Sequence, residues 1–190
     1  MNLPIYAYGH PVLRKRAENI SPDYPNLTET IANMWETMYH ARGMGLAAPQ
    51  VGLSIRLFVV DGEPMEDMIE EGEASMVGFR KVFINPTMLE EWGEEWAFRE
   101  GCLSIPEVRE DVFRPKNIKI HYFTEKWEER TDTFNGMQAR IIQHEYDHLE
   151  GVLFTEHISK FRLQLIRSRL TKISKGNIEL SYPMKFPPAR

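Results

Sequence analysis

His144-Glu145-Tyr146-Asp147-His148 sets two imidazoles four residues apart, with a carboxylate directly after the first. On an α-helix that spacing stacks the two rings on one face. Two ring nitrogens so placed can share one metal ion, and Glu145 can reach a water on that ion without being a ligand itself. A divalent metal lowers the pKa of such a water toward ~7, so Glu145 could take its proton at neutral pH and pass it to a leaving group. The chemistry is metal-assisted hydrolysis. The plainer reading is that both histidines are satisfied core or surface residues. Met137 and Ile141 share the stripe of His144 and His148, which puts an apolar pocket beside the metal or simply marks a core face.

Hydrolytic zinc sites take three protein ligands and leave one position open. Downstream of the helix the choices are Glu150, Glu156, His157 and Glu179, none in a second ligand motif. The stronger candidate lies upstream, in Glu100-Gly101-Cys102-Leu103-Ser104-Ile105-Pro106. Cys102 is the only cysteine, and a thiolate is a strong ligand for zinc or ferrous iron. A lone cysteine is otherwise a small buried hydrophobe. Gly101 before it permits a close backbone approach.

The elements that must hold these residues are legible in outline. Pro25-Asn26 opens a helix with Ile31, Met34, Trp35 and Met38 at helical spacing; Asn26 and Glu29 suggest a capping box, and Gly43 a C-cap. Short strand-like runs cover 55–60, 82–85 and 96–99, and Ile118, Ile120 and Tyr122 alternate. The acidic stretch 62–78 reads as a solvated loop. A helix over about 135–151 carries the metal motif. A last helix over about 158–174 has an apolar stripe of Leu163, Ile166, Leu170 and Ile173, and basic residues without an acid. Helices and strands without regular alternation predict an α+β fold. We expect one catalytic domain over 1–175 and an extended or loose tail over 176–190.

The bulk numbers set limits. A chain of 190 residues with 42% hydrophobic and 27% charged residues fits one globular domain. No apolar run is long enough to span a membrane. A net charge of −5 gives no field suited to sequence-specific nucleic-acid binding. One cysteine excludes an internal disulfide and fits a reducing compartment. With no secretory signal at the N-terminus, a cytoplasmic location is expected.

Three ordered motifs together resemble the peptide deformylase family. Gly43-Met44-Gly45-Leu46-Ala47-Ala48-Pro49-Gln50 is similar to its G-x-G-x-A-A-x-Q segment, Glu100-Gly101-Cys102-Leu103-Ser104 to E-G-C-L-S, and Gln143-His144-Glu145-Tyr146-Asp147-His148 to Q-H-E-x-D-H. Gly9-His10-Pro11-Val12-Leu13-Arg14 resembles the family's opening, so the likeness covers about residues 5–157. It implies removal of the formyl group from N-formylmethionyl nascent peptides. It also implies a central metal-binding helix packed among antiparallel β-sheets, plus a C-terminal helix. By resemblance, Cys102, His144 and His148 are the ligands, Glu145 is the base and acid, and Gln50 with the Leu103 backbone N–H stabilises the oxyanion. Glu100 orients neighbouring groups. Met44, Met137 and Ile141 line the methionine slot. Gly43, Gly45 and Gly101 let backbone approach substrate, and Arg109 contacts the substrate backbone unless it is merely an exposed arginine.

Ligand type suits Zn2+, whereas the resemblance implies Fe2+ as the active ion, with zinc or another divalent ion in preparations. The acidic stretch is longer than the family's usual connection, and Lys126-Trp127-Glu128 fills a turn where glycine is common. Two rival readings stay open here. One is a zinc endopeptidase with its third ligand downstream. The other is a ribosome- or partner-binding module that uses the basic last helix.

Overall fold

The computed structural model describes residues 1–188. The architecture is α+β, with five antiparallel strands in one sheet and a central helix against it. Strands β1 (Ile5–Tyr6) and the later β7 (Met184–Lys185) form a separate two-stranded parallel sheet.

Helix α1 (Leu27–His40) buries Leu27, Ile31, Met34, Trp35 and Met38, as the spacing predicts. Its N-cap is Asn26, as expected, but without the capping-box bond, and its C-terminal end differs. Asn26 is left-handed (φ 54°) and its side chain makes no capping bond, because side-chain capping needs an extended N-cap. At the other end Arg42, not Gly43, holds the left-handed position (φ 56°). The Gly43 N–H reaches Met38 O at 2.9 Å and the Arg42 N–H reaches Tyr39 O at 3.0 Å, the paired bonds of a Schellman end. Gly43 is needed for another reason: a Cβ there would lie 2.6 Å from Leu103 Cδ1.

The large sheet runs β2 (Gly45–Ala47), β3 (Leu57–Asp61), β4 (Arg80–Cys102), β5 (Ile105–Phe123) and β6 (Glu129–Asn135), in that spatial order. The runs anticipated at 82–85 and 96–99 are the two ends of the single strand β4. Register shifts between Ile84/Thr87, Met88/Glu90 and Trp92/Glu95 interrupt its alternation, so no period-2 pattern runs through the middle. A fourth shift, between Gly101 and Cys102, ends β4 in the tight connection Leu103-Ser104. Trp127, in the turn after β5, takes φ 60°, the conformation glycine would supply.

Helix α2 (Gly136–Leu149) packs on β2, β3, β5 and β6 and carries the His-Glu-x-x-His motif into the interior. Helix α3 (Lys160–Ser174) buries Ile166, Leu170 and Ile173 against β5. Its N-cap Ser159 side chain accepts from the Arg162 N–H.

Two segments are more ordered than expected. The acidic stretch is not wholly a solvated loop: Met65 and Met76 are buried in the core. The Glu66 carboxylate accepts from the backbone N–H groups of Met76 (2.5 Å) and Val77 (3.1 Å). The tail returns to the body, where β7 pairs with β1 and Ile178, Met184 and Phe186 pack against the α3 core. Among the described residues no helix is long and apolar enough to cross a membrane.

Candidate metal centre and active-site cleft

Cys102, at the end of β4, meets α2. Its Sγ lies 3.3 Å from His148 Nε2, and one ligand atom from each of Cys102, His144 and His148 falls within 4.8 Å of the others. The structure therefore brings the upstream thiol, rather than a downstream acid, to the two histidines. His157, one of the downstream alternatives, bonds Asp147 Oδ2 at 2.8 Å instead. Glu150 pairs with Arg56, and Glu156 with Arg14.

The donor set fits a metal ion. Bond lengths near 2.0–2.3 Å place tetrahedral N and S ligands roughly 3.5 Å apart, which matches this spacing. Burial, and then the nearby His144, push His148 down to about 3, so its ring is neutral and offers a lone pair. His144 gives Nδ1 to Glu100 Oε2 at 2.9 Å, leaving Nε2 for the cluster. Burial opposes charge on His144, but Cys102 and Glu100 outweigh it and raise its pKa. Loading an ion there must release that proton.

Glu145 is buried, and its Oε2 has no hydrogen-bond partner. Desolvation pushes its pKa up to about 7. Gly45 explains how the carboxylate fits: a Cβ at that position would lie 2.3 Å from Glu145 Oε1. Gln50 is held in a 3-10 turn after β2. Its Oε1 accepts from the Ala47 N–H at 2.9 Å, and its Nε2 donates to Ser104 Oγ at 3.2 Å and lies 3.5 Å from Cys102 Sγ.

A second layer of side chains supports this cluster, and sequence reasoning reached only part of it. Glu100 accepts from Arg114 Nε (2.7 Å) and from Arg140 Nη1 (2.8 Å) as well as meeting His144. Burial would raise Glu100, but bonds from His144 and Arg114 outweigh it and hold the carboxylate well below its ordinary range. Arg114 also reaches Asp147 Oδ2 at 2.7 Å. Arg140 carried a usable signal, since it stands four residues before His144 on the same stripe. Arg114 gave none within its strand.

The cluster opens into a cleft of about 890 Å³. Met44, Gly45, Gly101, Arg109 and Ile141 line it, as do Gln50, Cys102, Leu103, His144 and Glu145. Met137 does not. It is 1% exposed, belongs to the core cluster with Ile118, Ile120 and Phe134, and is not among the lining residues. Met65, Met68, Phe98 and the tail residues Glu179 to Tyr182 line the cleft without having been anticipated.

Two imidazoles and a thiol around a buried carboxylate, at the head of a cleft in an α+β body, define the class of metal-dependent hydrolases. The polypeptide deformylase family model matches residues 2–164. The peptide deformylase of Christiangramia forsetii is 58% identical over 193 aligned residues, covering 100% of this chain and 98% of that protein. Among solved structures, the Thermotoga maritima peptide deformylase superposes with a TM-score of 0.72 at 42% identity, covering 84% of this chain and 99% of its own. A plant peptide deformylase gives a TM-score of 0.80 at 34% identity, covering 96% of each chain. The chain belongs to the polypeptide deformylase family. It is an enzyme that removes the N-formyl group from N-formylmethionyl nascent peptides in a metal-dependent hydrolysis.

Gly45→Ala tests the steric reading of the site. The added methyl would lie 2.3 Å from Glu145 Oε1 and 2.7 Å from its Cδ and Cγ, so the Glu145 side chain must shift. Turnover should fall between about 10- and 100-fold, the cost of a misplaced reacting group, with the melting temperature nearly unchanged. Full activity would show that the Gly45–Glu145 approach is unimportant.

Proposed function

We propose that Cys102, His144 and His148 hold one divalent ion, that Glu145 handles the proton, and that Gln50 and the Leu103 N–H stabilise the oxyanion. The observation that carries this reading is the convergence of three ligand atoms beside a buried carboxylate with a free oxygen. When bound, the ion supplies Lewis acidity and a lowered pKa for water. The chain's own residues supply the rest. Glu145, near neutrality in its affinity for protons, takes one from the attacking water and delivers it to the amine nitrogen as the C–N bond breaks. The products are formate and a free N-terminal amine. The Gln50 amide is oriented beforehand by Ala47 and Ser104, so it loses little on meeting developing negative charge.

Substrate placement follows from the cleft. β2 is the edge of the large sheet, so its free side can add an extended peptide as a further strand. Met44 and Ile141, with Phe98 and Met65 nearby, offer an apolar slot for the methionine side chain. Met137 acts only from behind that wall. Arg109 stands at the cleft, within reach of a substrate carbonyl. The division proposed from the sequence, a catalytic domain over 1–175 followed by a C-terminal tail over 176–190, is one of chain segments, since the described part of the tail packs back on the domain.

Turnover is measured as formate release from a short N-formyl-Met peptide by metal-loaded protein. The native sequence should be active, and Glu145→Gln should lose at least roughly 100-fold, the scale of general acid–base catalysis. Comparable activity in the variant would remove Glu145 from its role.

We assign ferrous iron as the working ion and zinc as a substitute, on family resemblance together with the soft thiolate in the donor set. Iron beside a thiolate oxidises in air. Activity of the iron-loaded protein should decay aerobically and persist under anaerobic, reducing conditions; equal half-lives with retained metal would count against iron.

A ribosomal partner is supported by α3, which presents Lys160, Arg167, Arg169 and Lys172 to solvent and contains no acid. Arg162 is already engaged by Glu110 at 2.8 and 2.9 Å. A cytoplasmic location fits that partner and the lone thiol. Co-sedimentation with ribosomes from a cytoplasmic lysate should weaken as salt rises and on charge-reversal at Arg167, Arg169 and Lys172. Indifference to both would exclude docking through this helix.

A further inference from the structure

The family match ends at residue 164, but the cleft does not: Glu179, Leu180, Ser181 and Tyr182 form part of its wall. We propose that the C-terminal segment belongs to the catalytic apparatus, with Tyr182 as the positioning residue for the Cys102-Leu103-Ser104 turn. This rests on the reading of the Leu103 N–H as an oxyanion donor.

That turn is gripped at consecutive carbonyls by the two ends of the chain. The Tyr182 hydroxyl donates to Leu103 O at 2.7 Å. The Tyr8 N–H donates to Ser104 O at 2.8 Å. Tyr8 follows β1 and Tyr182 precedes β7, and these two strands pair in parallel, Ile5 with Met184 and Tyr6 with Lys185. Flanking bonds from the Ile5 N–H to Pro183 O and from the Ala7 N–H to Lys185 O, each 2.9 Å, tie the segments together. The termini therefore reach the turn as one unit.

The consequence is conformational. Leu103 supplies its N–H on one side of its Cα and the carbonyl held by Tyr182 on the other. With Leu103 O and Ser104 O both fixed, and Ser104 Oγ accepting from Gln50 at 3.2 Å, the turn cannot rotate without breaking a bond. An oxyanion donor is effective only when its direction is set before charge develops. The tail is anchored independently of the hydroxyl, since Ile178, Met184 and Phe186 pack into the core under α3. Removing the hydroxyl should therefore loosen the turn and leave the tail in place.

The test uses the full-length metal-loaded protein carrying Tyr182→Phe, with Ile178→Ala as a control that weakens tail packing but keeps the hydroxyl. Formate release, metal content and melting temperature are measured for each. For Tyr182→Phe, kcat should fall about fivefold to tenfold with KM within about twofold, the scale of one lost hydrogen bond felt in the transition state. Its metal content should equal that of the native chain. Ile178→Ala should lower the melting temperature more and kcat less. An unchanged kcat in Tyr182→Phe, or a loss in Ile178→Ala as large as that in Tyr182→Phe, would overturn the proposal. Native turnover separates this failure from failure of the site reading, because a native chain that released no formate would sink both.

Discussion

Glu100 is 4% exposed at the end of β4, and both oxygens of its carboxylate are shared. Oε1 receives Arg114 Nε and Arg140 Nη1; Oε2 receives Arg114 Nη2 and meets His144 Nδ1. Taking such a charge out of water costs several kcal/mol, and only near-complete pairing offsets it. The pairing groups come from β5 and from two successive turns of α2. A slip of the helix along the hairpin, or of β4 against β5, would leave a buried charge unpaired at a cost of roughly 3–5 kcal/mol. Glu100 thus fixes the register between the strand that carries Cys102 and the helix that carries the histidines.

The same contacts set the chemistry of the site. By engaging Nδ1 of His144, Glu100 leaves Nε2 for the cluster, as a carboxylate behind a ligating histidine does in metal sites generally. Arg114 couples this carboxylate to Asp147, one residue before His148. Arg140 stacks on Trp96 at 4.5 Å and donates to the Trp96 and Val112 carbonyls, which ties the helix to both long strands. Glu145 projects into the cleft beside Gly45 and receives none of these bonds on Oε2. Two carboxylates on neighbouring elements are therefore pushed in opposite directions, Glu100 down by hydrogen-bonded cationic partners that outweigh its burial, and Glu145 up by burial that outweighs the nearby His144 and Arg114.

What could be read in the sequence divides along physical lines. His144, Glu145 and His148 announce themselves because helical periodicity converts spacing into geometry. Cys102 is drawn to them only as the sole thiol in a glycine-bounded turn. The α+β class, helix α1 and its N-cap at Asn26 follow from the sequence pattern, but the capping-box bond and a C-cap at Gly43 do not appear. Asn26 adopts a left-handed backbone, and Arg42 takes the position that Gly43 could have filled. Gly43 is reserved for contact with Leu103, a tertiary demand that local rules do not contain. The long hairpin was seen as fragments because bulges erase alternation. Met137 was placed on the correct helical stripe, but that stripe is wide enough to face both cleft and core. Arg114 was invisible, since an arginine in a strand reads as an exposed residue until the acid opposite it is known.

The cleft shows a further separation. Its reactive end is built from β2, the β4–β5 turn and α2, and the buried charges lock β4, β5 and α2 together. Its outer walls come from segments outside that charge network: Met65 and Met68 from the acidic stretch on one part, Glu179 to Tyr182 from the tail on another. Thioether side chains adapt to varied apolar partners, and Met68 is more than half exposed. Tyr182 joins the two parts, because its hydroxyl reaches from the outer wall to the Leu103 carbonyl.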